Sequence, residues 1–160
     1  LSKESTIENV HTKDVTTEFG EFKLNVWRDV IFDEHHFSLT KGSPEKVDVP
    51  MVRVQTQSVL QDTLGIDEIG KKWSIRKSLQ KIADEGTGVF VLINHRDAKT
   101  YWLSKLKDEN IEPKRNRRVI GIGSQILRAI GLNKIKVLGT PTKYSGLSGF
   151  NIEIEGFIDE

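Results

Sequence analysis

The sequence predicts one α/β domain, a mixed β-sheet with helices on both faces and antiparallel hairpins at its N-terminal end. Three observations support this fold class. Strand-like alternation prevails up to about residue 67, helical and strand-like segments alternate after it, and Gly88–Ile93 is apolar throughout, as in a strand covered on both faces. At 160 residues and 36% hydrophobic, the chain is long enough for one core.

The first third of the chain predicts hairpins. Over residues 17–28, Phe22, Leu24 and Val26 alternate with Trp27 and polar neighbours, which indicates a strand buried on one face. Further strands are expected over 36–41 and 49–55. Residues 1–15 are interpreted as a linker or N-terminal arm, so that the folded domain spans 16–160.

Beyond residue 67 the apolar period becomes helical. The expected elements are a helix from 75 that Gly86 ends, the strand 88–93, a short helix over 97–107 with Leu103 and Leu106 inward, a third helix ending at Gly131, and strands over 134–138 and 151–157. Gly121 and Gly123 resemble the opening of a dinucleotide-binding turn, but the third glycine is missing. A glycine-rich entry to the third helix is therefore the preferred interpretation.

Composition excludes several classes of function. The chain has no cysteine, so disulfides, thiolate nucleophiles and thiolate-bound metals are excluded. The four histidines, 11, 35, 36 and 95, lack metal-ligand spacing. No apolar run approaches the roughly 18 residues of a membrane span, and no export signal is recognisable. A cytoplasmic protein that does not bind membranes is expected.

Charge is unevenly distributed although the net charge is only +1. Residues 101–150 carry ten basic and three acidic side chains, with the densest cluster at 113–118. This cluster is interpreted as a solvated loop, and the alternative is an anion site. Nucleic-acid binding is not expected, because no aromatic residues are interleaved with the basic ones.

Two segments that follow predicted strands carry groups suited to phosphate. Arg96 and Lys99 come after the buried strand, and Thr140 and Lys143 come after the strand at 134–138. Ligands of open α/β sheets usually meet the carboxyl ends of such strands. The alternative is that these side chains are merely solvated or cap a helix.

Five ordered segments resemble the GTP cyclohydrolase II family, which opens the guanine ring of GTP. The family pattern TxFGxFxLxxYRD corresponds to TEFGEFKLNVWRD at 17–29, and VRVHSEC corresponds to VRVQTQS at 52–58. The other matches are SLTKG at 38–42, SLQKIADEGTGV at 78–89 and QILRAIGLNKIKVLG at 125–139. The resemblance runs from about residue 16 to 158 and implies the family's α/β fold and a homodimer.

The resemblance also implies that the family's zinc site is absent. The positions of its three cysteine ligands hold Ser58, Ile69 and Lys71, so no cofactor is expected in this domain. The ligand-shell histidine and glutamate are replaced by Gln55 and Gln57. The bases that survive near family-matching loops include Arg53 and Arg118. The residues proposed to bind a nucleotide or phosphate are Arg53, Gln57, Arg96, Lys99, Arg118, Thr140 and Lys143.

Cysteine-free members of this kind resemble the C-terminal half of fused proteins whose N-terminal half is 3,4-dihydroxy-2-butanone 4-phosphate synthase. The absence of an initiator methionine at Leu1 fits a piece cut at that junction. The leading hypothesis is a riboflavin-biosynthesis domain that is silent in GTP ring opening and supports or regulates its fused synthase. The second hypothesis is a module that binds GTP or phosphate without turnover, and the third is a hydrolase that works with a different metal or with none.

Overall fold

A seven-stranded mixed sheet organises the computed structural model, which describes residues 5–66, 73–94, 103, 106–107, 112–140 and 151–159, with 112–116 as backbone only. The strands are β1 Ile7–Thr17, β2 Gly20–Asp29, β3 Glu34–Lys41, β4 Met51–Thr56, β5 Gly88–Ile93, β6 Lys134–Leu138 and β7 Glu153–Ile158. Their spatial order is β1-β2-β3-β5-β4-β6-β7. The α-helices are α1, Ile75–Glu85, and α2, Glu112–Ile130.

The predicted fold class is confirmed. β1, β2, β3 and β5 pair antiparallel in succession, whereas β5, β4, β6 and β7 pair parallel. Leu79 and Ile82 of α1 pack with Met51, Phe90 and other residues of one sheet face. α2 packs through its isoleucines on the opposite face, against alternate residues of β4 and β5. The sheet therefore has helices on both faces.

β1 consists largely of residues that the sequence analysis interprets as a linker or N-terminal arm, 1–15. Ile7 pairs with Asp29 and Thr17 with Gly20, so most of residues 7–17 form a regular antiparallel edge strand. The strand is exposed along most of its length. Because it buries little apolar surface, its sequence lacks the strong alternation by which strands are recognised.

Trp27 differs from its expected position. The alternation places it on the solvent side of its strand, whereas the structure buries it in the core on the α2 side, where its Nε1 donates to Ser38 Oγ at 2.9 Å. The reason is that α2 covers the second face of the sheet as far as β2. Both faces of this strand therefore need apolar residues, and Phe22 lies in the α1-side core.

α1 agrees with its expected limits. Ser74 accepts a hydrogen bond from the Lys77 amide as the N-cap residue. Gly86 follows with φ of 85°, the left-handed conformation that ends many helices. The short helix expected over 97–107 lies largely outside the described residues, and the two leucines described there, Leu103 and Leu106, are exposed rather than inward.

α2 begins earlier than expected, and two interpretations of the sequence are therefore wrong. The basic cluster at 113–118 lies in the first turns of the helix and not in a loop. Gly121 and Gly123 lie in its middle and not at its entry. Pro113 is compatible with this start, since a helix's first turn needs no amide hydrogen. No helix among the described residues is long and apolar enough to cross a membrane.

Gly123 allows α2 to lie close to the sheet. A Cβ at this position would approach Val54 Cγ1 to 2.8 Å, and valine is stiff. We therefore expect Gly123→Ala to destabilise the protein by about 1–2 kcal/mol, although alanine favours helices by about 1 kcal/mol. Urea unfolding measures this, with Gly156→Ala as the control because a Cβ there meets nothing within 4 Å. An unchanged free energy of unfolding would contradict the close packing.

Candidate functional site at the carboxyl edge of the sheet

The parallel strands end along one edge of the sheet. β4, β5 and β6 finish at Thr56, Ile93 and Leu138, so the segments that follow them leave from the same side. The β2–β3 turn lies there too, because β3 runs antiparallel to β5. We call this side the carboxyl edge. It is the usual place for a ligand in an open α/β sheet.

The structure describes four of the seven residues that are predicted to bind a nucleotide or phosphate. Gln57 directly follows β4 and is exposed, and Thr140 is half-buried two residues beyond β6. Both therefore lie at the carboxyl edge. Three others lie outside the described residues, namely Arg96, Lys99 and Lys143. Binding of a nucleotide or phosphate by this set stays a prediction.

Arg53 lies buried on the α1 face and links three parts of the chain. Its Nε donates to Gln55 Oε1 at 2.7 Å, its Nη1 to the Leu138 carbonyl at 2.8 Å and its Nη2 to the Trp73 carbonyl at 3.1 Å. We call these hydrogen bonds the Arg53 bridge. The bridge joins β4 to the end of β6 and to the residues before α1. Each guanidinium nitrogen thus donates to an atom of the protein, which gives Arg53 a structural role beside its predicted role in ligand binding.

Gln55 completes the Arg53 bridge and is itself almost fully buried. Its Oε1 accepts from Arg53, whereas its Nε2 has no hydrogen-bond partner among the described residues. The sequence comparison singled out Gln55 as a replaced histidine but could not show that it orients an arginine.

Arg118 pairs with Glu34 on the opposite side of the sheet. Its Nη2 donates to Glu34 Oε1, and its guanidinium lies 4.0 Å from the centre of the Phe32 ring. Glu34 belongs to the face of β3 that packs towards α2, because its register partner Asp29 lies on the same face as Trp27. Arg53 and Arg118, both predicted to bind phosphate, therefore lie on opposite faces of the sheet.

Asp29, Glu34 and His36 form a buried polar cluster beside Arg118. One ligand atom from each lies within 4.8 Å of the others, a spacing that a metal ion could use. The hydrogen bonds argue against a metal. The Asn94 amide donates to His36 Nδ1 at 2.9 Å, so the neutral ring carries its proton on Nε2, which faces Glu34. That nitrogen is a donor and not a metal ligand, and Arg118 already neutralises Glu34.

The pKa of His36 should make stability depend on pH. Burial lowers it to about 4, with Arg118 and His35 also lowering it and Asp29 opposing them. The unfolded value is about 6.5, so the unfolded chain takes up the proton first. Stability is therefore complete above about pH 6.5 and falls by up to about 3 kcal/mol as the pH drops to about 4.

His36→Asn is the matched variant, since the asparagine oxygen can accept from Asn94 but does not titrate. We expect its free energy of unfolding to decline less than that of the wild type between pH 6.5 and 4, by about 2–3 kcal/mol. Urea unfolding at each pH supplies both curves. Two parallel curves would show that His36 does not contribute to the acid sensitivity.

The residue at the first family zinc position has a structural role. Ser58 precedes a single π-helical turn, Val59–Thr63, and its Oγ accepts from the Gln61 amide at 3.2 Å. Its own amide donates to Asp62 Oδ2 at 2.7 Å. The other two positions, Ile69 and Lys71, lie outside the described residues. A capping hydroxyl, an aliphatic side chain and an ammonium group do not provide the donor set of a zinc site.

Comparison with known proteins agrees with this architecture. A mixed sheet with helices on both faces defines an α/β type of domain. Residues 8–159 match the family model for GTP cyclohydrolase II, and the chain therefore belongs to the GTP cyclohydrolase II family. The resemblance inferred from the ordered segments is confirmed.

More particularly, the chain is similar to parts of longer curated proteins. It is 29% identical to the 3,4-dihydroxy-2-butanone 4-phosphate synthase of Pseudomonas aeruginosa, over 99% of this chain and 45% of that protein. It is 30% identical to the riboflavin biosynthesis protein RibBA of Cytophaga hutchinsonii, over 96% of this chain and 42% of that protein.

A solved structure shows the same fold. The two-domain 3,4-dihydroxy-2-butanone 4-phosphate synthase RibBX from A. baumannii superposes with a TM-score of 0.66 at 27% identity, over 98% of this chain and 41% of that chain. The chain thus spans less than half the length of the relatives that it matches.

Proposed function

We propose that this chain is a domain of a cytoplasmic riboflavin-biosynthesis protein, silent in GTP ring opening, that supports or regulates a fused 3,4-dihydroxy-2-butanone 4-phosphate synthase. Support comes from relatives that carry the synthase name and match this chain over less than half of their length. A homodimer is part of the proposal, because the family resemblance implies it.

The observation that carries the proposal is the chemistry at the zinc positions. Ser58 has its hydroxyl in a helical cap, and Ile69 and Lys71 offer no thiolate. Without the metal, no water is acidified to attack the purine. No step of ring opening is therefore assigned to this chain.

The purified protein with GTP, with and without added zinc, tests catalytic silence. We expect no diaminopyrimidine product above a blank without protein, whereas a family member with all three cysteines serves as the positive control. Product formation at an enzymic rate would overturn this part of the proposal. Elemental analysis after purification is a second readout, and stoichiometric metal would also contradict it.

The supporting role needs a separate measurement in the full-length protein. Deletion of residues 5–160, which removes β1 with the rest of the domain, should lower the thermal stability or the turnover of the synthase, with the intact full-length protein as the reference. Equal stability and equal turnover with and without this domain would contradict a supporting or regulatory role, whatever the outcome of the GTP assay.

Binding of GTP or phosphate without turnover is the second candidate function. It is favoured by the positions of Gln57 and Thr140, which follow neighbouring strands at the carboxyl edge. Arg53 and Arg118 give it less support, because one is bonded inside the protein and the other is paired on the opposite face. Titration calorimetry with GTP and with pyrophosphate tests it, with Gln57→Ala as the variant. Absence of heat with both ligands would exclude it.

A further inference from the structure

The turn between β2 and β3 presents three consecutive apolar residues to solvent. Val30, Ile31 and Phe32 are 45%, 66% and 49% exposed. We call them the apolar tip. Single exposed apolar residues are common on protein surfaces, but a contiguous group of this kind is typical of a contact site.

The apolar tip is held rigidly. Asp29 Oδ1 accepts from the amides of Ile31 at 2.9 Å and Phe32 at 3.4 Å, which fixes the turn from inside. Asp33 closes the turn with φ of 51° and accepts from Arg28 Nε at 2.8 Å. A loop that is ordered before it meets its partner loses little conformational entropy on binding, so the tip is preorganised for contact.

Arg118 holds the apolar tip from the side of α2. Its guanidinium stacks on the Phe32 ring while pairing with Glu34. This stacking covers one side of the ring and leaves Ile31 as the most exposed member of the tip. The tip is therefore an apolar projection with a charged border, the usual anatomy of an interface anchor and its rim.

The N-terminal entry of the chain lies beside the apolar tip. The Val30 amide donates to the Thr6 carbonyl at 2.9 Å, and the Thr6 amide donates to Gln125 Oε1 at 2.7 Å. The described chain therefore enters beside the tip, and a domain joined ahead of Leu1 would be tethered to this point by a short stretch of chain. A partner tethered at this point has a high effective concentration at the tip, which allows a small surface to hold it.

The area of the apolar tip favours a tethered domain over a second free copy as its binding partner. With about 200 Å² for a large side chain, the tip exposes roughly 300 Å². A stable complex of separate molecules buries about 800 Å² on each partner, so the tip alone does not suffice for a second free copy. A tethered domain does not need that area, because it loses less translational freedom on docking.

We propose that the apolar tip docks onto the synthase domain that the proposed function places ahead of Thr6. This inference rests on that function and adds the contact through which the two domains meet. It assigns Ile31 and Phe32 as the anchors and Arg118 as the residue that orients Phe32.

Hydrogen exchange tests the proposal in the full-length polypeptide and in the 160-residue chain. We expect amides of residues 29–34 to exchange at least about tenfold more slowly in the full-length protein, and Ile31→Ser with Phe32→Ser to abolish that difference. Val47→Ser is the matched control, because Val47 is also an exposed apolar residue and precedes β4, at the opposite edge of the sheet from the tip. Ile31→Ser alone is the second variant, should the double variant fold poorly.

Several results would overturn the docking proposal. Equal exchange in both proteins shows that the apolar tip is not a domain contact, and it leaves catalytic silence in GTP ring opening unaffected. Protection that appears in the 160-residue chain as its concentration rises assigns the tip to a second copy. A full-length polypeptide without a synthase domain overturns the docking and the fused partner together.

Discussion

Arg53→Met is expected to lower the free energy of unfolding by about 4 kcal/mol, a large part of the roughly 5–15 kcal/mol typical of a domain. Methionine fills a similar volume and removes a buried charge, which alone can be favourable. The cost of the hydrogen bonds that the substitution removes is larger. The carbonyls of Leu138 and Trp73 and the Gln55 oxygen all lose their donor in a buried place, at about 1–3 kcal/mol each.

Urea unfolding and a thermal melt measure the effect of Arg53→Met. A loss of this size should lower Tm by about 10 °C in a chain of this length. Arg76→Met is the matched control, since Arg76 is exposed and contacts only surface groups that the structure describes, the Glu18 carboxylate and the Phe19 ring at 5.4 Å from its centre, so a change of about 1 kcal/mol or less is expected. Unchanged stability of Arg53→Met, together with weakened binding of GTP, would instead make Arg53 a ligand residue.

The sheet was largely predictable because most of its strands carry either alternating or unbroken apolar residues. Gly88–Ile93 is buried at nearly every position, as its unbroken apolar composition indicates. β1 was not predictable in the same way, since it is an exposed edge strand whose order depends on pairing with β2. The start of α2 was missed because its first turns are basic, so they carry no apolar stripe to mark a helix.

The candidate site was predictable in part. The positions of the replaced zinc ligands follow from the sequence, because ordered motifs fix the alignment around Ser58. The roles of Arg53 and Arg118 do not follow from the sequence. A basic side chain at a family position looks the same in sequence whether it meets a phosphate or a carbonyl. Arg118 meets Glu34 across 84 residues of chain, a contact that only the packing of α2 on the sheet establishes.

We expect the contributions of Glu34 and Arg118 to the free energy of unfolding to be strongly coupled. Glu34 is buried, and Arg118 is about three-quarters covered. Removal of one partner from a buried pair leaves an uncompensated charge. Arg118→Met leaves the more deeply buried carboxylate and also loses the contact with the Phe32 ring, so it should cost about 3 kcal/mol. Glu34→Ala leaves a guanidinium that is partly exposed to water and should cost about 2 kcal/mol. The double variant loses both charges together and should be less destabilised than the two single losses combined.

A double-mutant cycle by urea unfolding at neutral pH measures this dependence. We expect a coupling energy of about 2 kcal/mol for Glu34 and Arg118, against at most about 1 kcal/mol for the exposed pair Glu18 and Arg76 as the control. Similar coupling in both pairs would show that burial adds nothing to the coupling of Glu34 and Arg118.

The pair of Glu34 and Arg118 also links α2 to the residues of the apolar tip. Glu34→Ala should therefore speed amide exchange at Ile31 and Phe32 even in the 160-residue chain, whereas Glu18→Ala should leave it unchanged.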